Sequence, residues 1–187
     1  MAKTDDYLPS QAEVDHVLYS KKSVNFTGVK WGPKPPPNRP LMWLQMQIIP
    51  TDQDDIPIQG LSFLLQWKPD HESQTVAGIT YPKINLVALY NKKRIFAVDT
   101  YPFDKHKNSY RIDRPDYQDS VFGPHYHVYY EEAGYYSEKI GFPITSGIKP
   151  DDLVGYWNYF CNKLNVTCAG KIPIPLEDES GQIGLGL

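Results

Sequence analysis

The chain has 187 residues and a net charge of −3, with 41% hydrophobic and 22% charged residues. That balance excludes an acidic disordered chain and lacks the strong positive charge of many nucleic-acid binders. Two cysteines are too few for a disulfide framework, and no uncharged apolar run approaches the roughly 18–20 residues of a membrane helix. The polar start, Met1-Ala2-Lys3-Thr4-Asp5-Asp6, has no apolar signal segment behind it, so a soluble cytoplasmic protein without a membrane partner is expected.

The chain holds 14 Tyr and 17 Pro; prolines oppose long helices and tyrosines favour half-buried strands, so a sheet-dominated domain is expected. Ser10 and Glu13 make a capping box, and Val14, Val17 and Leu18 follow at helical spacing, which predicts a helix over 10–22 with Lys21 and Lys22 in its last turn. A strand is predicted over 24–31. The proline-rich run 33–40 reads as a rigid polyproline loop; an aromatic-groove ligand is the alternative. Strands follow over 41–49 and 60–67, the second apolar enough to suggest burial on both faces, with a polar turn at 52–55 between them. Residues 68–78 read as a loop.

Two apolar runs around Asn91-Lys92-Lys93-Arg94 predict an antiparallel hairpin over 84–100. Residues 104–109 read as a charged loop, 110–113 as a short strand and 115–123 as a longer loop. A second hairpin joins 125–131 to 135–142. Pro150, Asp151 and Asp152 start a last helix, with Leu153, Trp157, Phe160 and Leu164 as its buried stripe, Val154 and Cys161 beside it, and Asn165 as C-cap. Cys161 reads as a small buried hydrophobe, with no sign of pairing to Cys168. The fold class is α+β: a curved, mainly antiparallel sheet with an N-terminal and a C-terminal helix packed on it. Residues 1–170 form one domain, and 171–187 a loosely packed or mobile tail.

The stretch Gly123-Pro124-His125-Tyr126-His127-Val128-Tyr129-Tyr130-Glu131 carries the most chemistry. Strand alternation puts His125, His127, Tyr129 and Glu131 on one face and Tyr126, Val128 and Tyr130 on the other. Two neighbouring imidazoles can bind a metal or act as an acid/base pair; half-exposed histidines bonded to adjacent strands are the plain alternative. No third and fourth ligands lie at a standard spacing, so no cofactor and no metal ligand is assigned; His106, Asp99, Asp113 and Glu131 complete a set only if the fold brings them near. Arg111 and Asp113, on the preceding predicted strand, would join the histidine face and suit a phosphate or carboxylate. Between Lys83 and Arg114, eight Lys/Arg face three Asp. Within it, Lys92, Lys93 and Arg94 could hold an RNA backbone or simply form a solvated turn.

Residues 110–166, through Arg111-Ile112-Asp113, Gly123-Pro124-His125-Tyr126-His127-Val128-Tyr129, Phe142-Pro143-Ile144 and the Phe160-Cys161-Asn162 segment of the last helix, resemble a family of uncharacterised small bacterial proteins. Some members neighbour helix-turn-helix regulators, as toxin–antitoxin pairs do. The resemblance implies a bacterial origin and a strand-borne histidine pair.

The leading expectation is a binding or regulatory module with a recognition face around His125 and His127 and a protein or RNA partner. Tyr129, Glu131, Asp113, Lys92, Lys93 and Arg94 would be its contact residues. One alternative is a metal-independent ribonuclease of toxin type, with one histidine as base, the other as acid and Arg111 stabilising phosphate charge. A metal-dependent hydrolase is the other. Whether the chain is an enzyme stays open, and no DNA-binding motif is present.

Overall fold

Ser10 opens the first helix through the capping box its sequence spells: its hydroxyl accepts from the Glu13 amide, and the Glu13 carboxylate accepts from the Ser10 amide at 2.8 Å. In the computed structural model, which describes residues 7–35, 43–70, 80–134 and 139–177, α1 spans Gln11–Tyr19 and buries Val14, Val17 and Leu18. The proline-rich run beyond residue 35, residues 71–78 of the predicted loop 68–78 (whose residues 68–70 belong to a strand instead), the predicted strand residues 41–42 and 135–138, and the predicted tail from 178 lie outside the described residues.

The chain then forms β1 (Lys22–Asn25), β2 (Gly32–Pro33), β3 (Leu44–Ile48), β4 (Leu61–Asp70), β5 (Pro82–Tyr90), β6 (Lys93–Asp99), β7 (Lys105–Lys107), β8 (Ser120–Phe122), β9 (His125–Val128), β10 (Gly141–Pro143), α2 (Leu153–Leu164) and β11 (Val166–Ala169). Among the described residues an open antiparallel sheet has the order β10-β9-β6-β5-β4-β3-β2, so the α+β expectation holds. The β5–β6 hairpin turns at Asn91 and Lys92, both with positive φ, the geometry that matches strand twist in a two-residue turn.

Several local expectations are corrected. Of the predicted strand 24–31 only Val24 and Asn25 are strand, as the end of β1; residues 26–31 form a turn and an irregular segment, and β2 begins beyond them. β4 alternates, with Leu61, Phe63 and Leu65 buried and Ser62, Leu64 and Gln66 half-buried, so it is covered on one face rather than two. Residues 110–113 have no strand geometry. Loop 104–109 contains β7, which pairs with β8 as a separate ribbon.

α2 lies on one face of the sheet. Leu153, Trp157, Phe160 and Leu164 are buried as their spacing predicts, joined by Tyr156 and Cys161, while Val154 points outward at 44% exposure. Trp157 meets Phe26 edge-on at 5.4 Å and stacks on Phe160 at 5.5 Å; Phe160 meets Phe63 and Phe96. Asp152 caps α2 through the Gly155 amide, and Asn165 closes it in the left-handed conformation.

Each helix runs directly into a strand, and the two strands, β1 and β11, pair in parallel. Lys22, expected in the last turn of α1, sits instead at the start of β1. Its buried ammonium donates back to the carbonyls of Leu18, Ser20 and, across the pair, Leu164. One cation thus satisfies orphan carbonyls at both helix C-termini. Beyond β11, Ile172 is buried and the Pro173 carbonyl accepts from the Trp31 indole at 2.8 Å. No helix among the described residues is long and apolar enough to cross a membrane.

Candidate functional site

β9 inserts beside β6 with the register Asp99↔His125, Val98↔Tyr126, Ala97↔His127 and Phe96↔Val128. Alternation therefore puts Tyr126 and Val128 on the α2 side, where Tyr126 stacks between Phe96 and Phe142. His125, His127 and Asp99 share the opposite face. The pair faces the same way, as strand alternation requires, but only 3% and 2% of these histidines is exposed, so this is no open polar surface.

The β7–β8 ribbon covers them. After Asp99 the chain leaves the sheet, forms the ribbon and returns as β9. Asn108, just past β7, fixes the ribbon to the edge strand β10: its side chain accepts from the Gly141 amide at 2.6 Å and donates to the Gly141 carbonyl at 2.9 Å. This brings His106 against the pair, its ring 5.2 Å from that of His125 and 4.7 Å from that of His127. Three of the chain's five histidines thus converge, with ligand atoms within 4.8 Å of one another. Gly141 makes the approach possible, because a Cβ there would lie 2.8 Å from His106 Cδ2.

The ring orientations are set by backbone carbonyls. Gly123, held at φ +76 with its carbonyl under β9, accepts from His125 Nδ1 at 2.8 Å, and Ile140 O accepts from His127 Nδ1 at 3.2 Å. Carbonyls only accept, so each Nδ1 carries hydrogen. Each Nε2 is then turned towards Asp99, whose Oδ2 lies 3.0 Å from His127 Nε2 and 3.8 Å from His125 Nε2. Asn85 donates to the other oxygen, Oδ1, at 3.1 Å when its amide faces its neighbours correctly. His106 Nε2 is buried with no hydrogen-bond partner among the described residues.

Burial works against charge on two of the imidazoles, His106 and His125, while Asp99 is held as the carboxylate. Burial, reinforced by the facing His127 and His125, pushes His106 down to about 4. Burial also lowers His125, against the help of the Gly123 carbonyl. For Asp99 burial works upward, but the His127 hydrogen bond and the surrounding positive groups prevail and hold its carboxyl below the usual range.

The cluster forms the floor of an open cleft of about 450 Å³, completed by Lys83, Arg94, Asp104 and Lys105. Lys83 pairs with Asp104 at 3.1 Å, and the Lys105 ammonium lies over the Phe122 ring. A larger groove of about 640 Å³ lies on the other face of the sheet, between α1 and α2, and contains none of these histidines.

The other predicted site residues are elsewhere. Arg111 and Asp113 are exposed and do not line the cleft, because the segment they occupy is not a strand beside β9. Alternation ends at Val128: Tyr129 is buried on the α1 side, its hydroxyl donating to the Pro9 carbonyl. The Glu131 carboxylate accepts from the Gln11 amide at the start of α1. Lys92 is exposed at the hairpin tip and Lys93 is half-buried; of the basic turn only Arg94 reaches the cleft. Of the four candidate completions, His106 and Asp99 are brought in and Asp113 and Glu131 are not.

No family model, curated protein or solved structure matches this chain significantly.

Proposed function

We propose that this protein is a metal-dependent hydrolase that holds a divalent transition ion on His106, His125 and His127 and acts on an anionic ester. The observation that carries this reading is the buried, unpartnered His106 Nε2, set against two histidines whose Nδ1 atoms are already committed to carbonyls. A histidine whose Nδ1–H is held by a backbone carbonyl presents its Nε2 to a metal. Three imidazoles are a zinc-type donor set, and three protein ligands leave a position for water. Tetrahedral ligands at zinc distances lie about 3.3 Å apart, so the cluster, now within 4.8 Å, closes by small ring movements.

A metal held there would raise the acidity of a bound water, and the Asp99 carboxylate beside the three histidines would be placed to take its proton. Lys83, Arg94 and Lys105 against Asp99 and Asp104 leave one positive charge around the cleft, and a divalent ion makes it three. A phosphate ester or diester fits that field better than a neutral substrate.

The short Asp99–His127 contact favours a second reading, metal-independent cleavage of RNA by an acid/base pair. A flat protein-recognition face draws less support, since both histidines of β9 lie beneath the ribbon.

Zinc titration of chelator-treated protein, followed by hydrolysis of bis(p-nitrophenyl) phosphate, tests the proposal. One zinc per chain is expected, with at least a hundredfold loss of affinity in His125→Ala and His127→Ala and activity only in loaded protein. RNA cleavage that persists in EDTA would favour the second reading, and failure of folded protein to bind zinc would overturn the first.

A further inference from the structure

The two cysteines of the chain meet across the junction of α2 and β11, far from the histidine cluster. Cys161 is buried on α2, Cys168 is exposed on β11, and their sulfurs are 3.5 Å apart. The two roles of an oxidisable dithiol are thereby separated. One sulfur is open to a small oxidant from solvent; the other is shielded and lies in contact with it.

We propose that Cys161 and Cys168 form a peroxide-oxidisable pair, Cys168 reacting first and Cys161 resolving it to a disulfide. The Cys168 thiolate attacks the O–O bond of hydrogen peroxide, giving the sulfenic acid and hydroxide. The Cys161 thiol then displaces the sulfenic oxygen, which leaves as water after taking the thiol proton. Two thiols are oxidised, one peroxide is reduced, and two waters result once the hydroxide is protonated.

The surroundings divide the pair in the same sense. The contact with the Cys161 sulfur brings Cys168 down to about 7, and the Trp157 indole, with no other partner among the described residues, also favours its thiolate. The same contact, with burial, pushes Cys161 upward, so it keeps its proton until the sulfenic acid has formed. Bond formation needs the sulfurs to close from 3.5 Å to about 2.05 Å, a change within side-chain reach.

The full chain, reduced, freed of reductant and held in EDTA, is treated with equimolar hydrogen peroxide at pH 7. The expected product is a monomer that has lost two hydrogens, with no titratable thiol and with a Cys161–Cys168 cross-linked peptide after digestion. Cys168→Ser should consume peroxide at least tenfold more slowly, and Cys161→Ser should accumulate a sulfenic acid that dimedone traps. Both variants are checked for native secondary structure by circular dichroism. Retention of both thiols, an intermolecular disulfide, or equal oxidation rates in Cys168→Ser and the parent would overturn the proposal.

Discussion

Gly141 shows how one missing side chain assembles a site. It lies opposite His127 on β10, and its bare Cα is the surface on which the His106 ring rests. A methyl group there would meet His106 Cδ2 at 2.8 Å and His125 Cδ2 at 3.3 Å, closer than packed carbons tolerate. The residue does not have positive φ, so alanine fits its backbone and the conflict falls on the rings. Gly141→Ala should therefore keep the fold and weaken zinc binding at least tenfold, measured by competition with a chromophoric chelator. Unchanged affinity would mean that His106 is not a ligand. Gly123 acts differently: its left-handed conformation aims a carbonyl at His125, which gives the Gly-Pro-His sequence a conformational reason.

At the scale of elements, Lys22 joins four of them. Its ammonium reaches the last carbonyls of α1 and α2, and its backbone opens the β1–β11 pair. Burial draws it down to about 8, still charged at neutral pH. Lys22→Met keeps the aliphatic stem but leaves three carbonyls unpaired, so it should cost about 2–4 kcal/mol, partly relieved by water at the helix ends. A urea midpoint equal to that of the parent would show that solvent replaces the cation fully. The same segment marks the reach of sequence reasoning. The capping box, the α2 stripe and the β5–β6 hairpin were legible because each is encoded within a few residues. The parallel β1–β11 pair joins segments about 140 residues apart, and nothing within either strand names its partner. The β7–β8 ribbon was hidden for a related reason: Lys105-His106-Lys107 is too polar to read as a strand, and Asn108 anchors it from outside the ladder. Tyr129 and Glu131 were misplaced because period-two alternation was carried beyond Val128, where pairing stops.

Over the whole molecule, α2 builds the apolar core on one face of the sheet, and the other face carries a polar cluster closed by the ribbon. The histidine pair was visible from spacing alone. Its completion was not, because His106 arrives through the excursion between β6 and β9 and Asp99 through the pairing of those two strands. An ion bound by His106, His125 and His127 would tie that excursion to the sheet, so loading should stabilise the molecule and its ribbon together. At a free zinc concentration a hundred times the dissociation constant, linkage adds about 2.7 kcal/mol to the folded state. For a domain of this size that corresponds to a rise of about 5–10 °C in melting temperature. Zinc should also slow hydrogen exchange at Lys105–Lys107 and Ser120–Phe122 while leaving the exposed tip of the β5–β6 hairpin unchanged. His106→Ala should remove both effects without disturbing the core, since α2 packs on the opposite face. A zinc-induced rise of the same size in His106→Ala would place the ion elsewhere and detach the ribbon from the site.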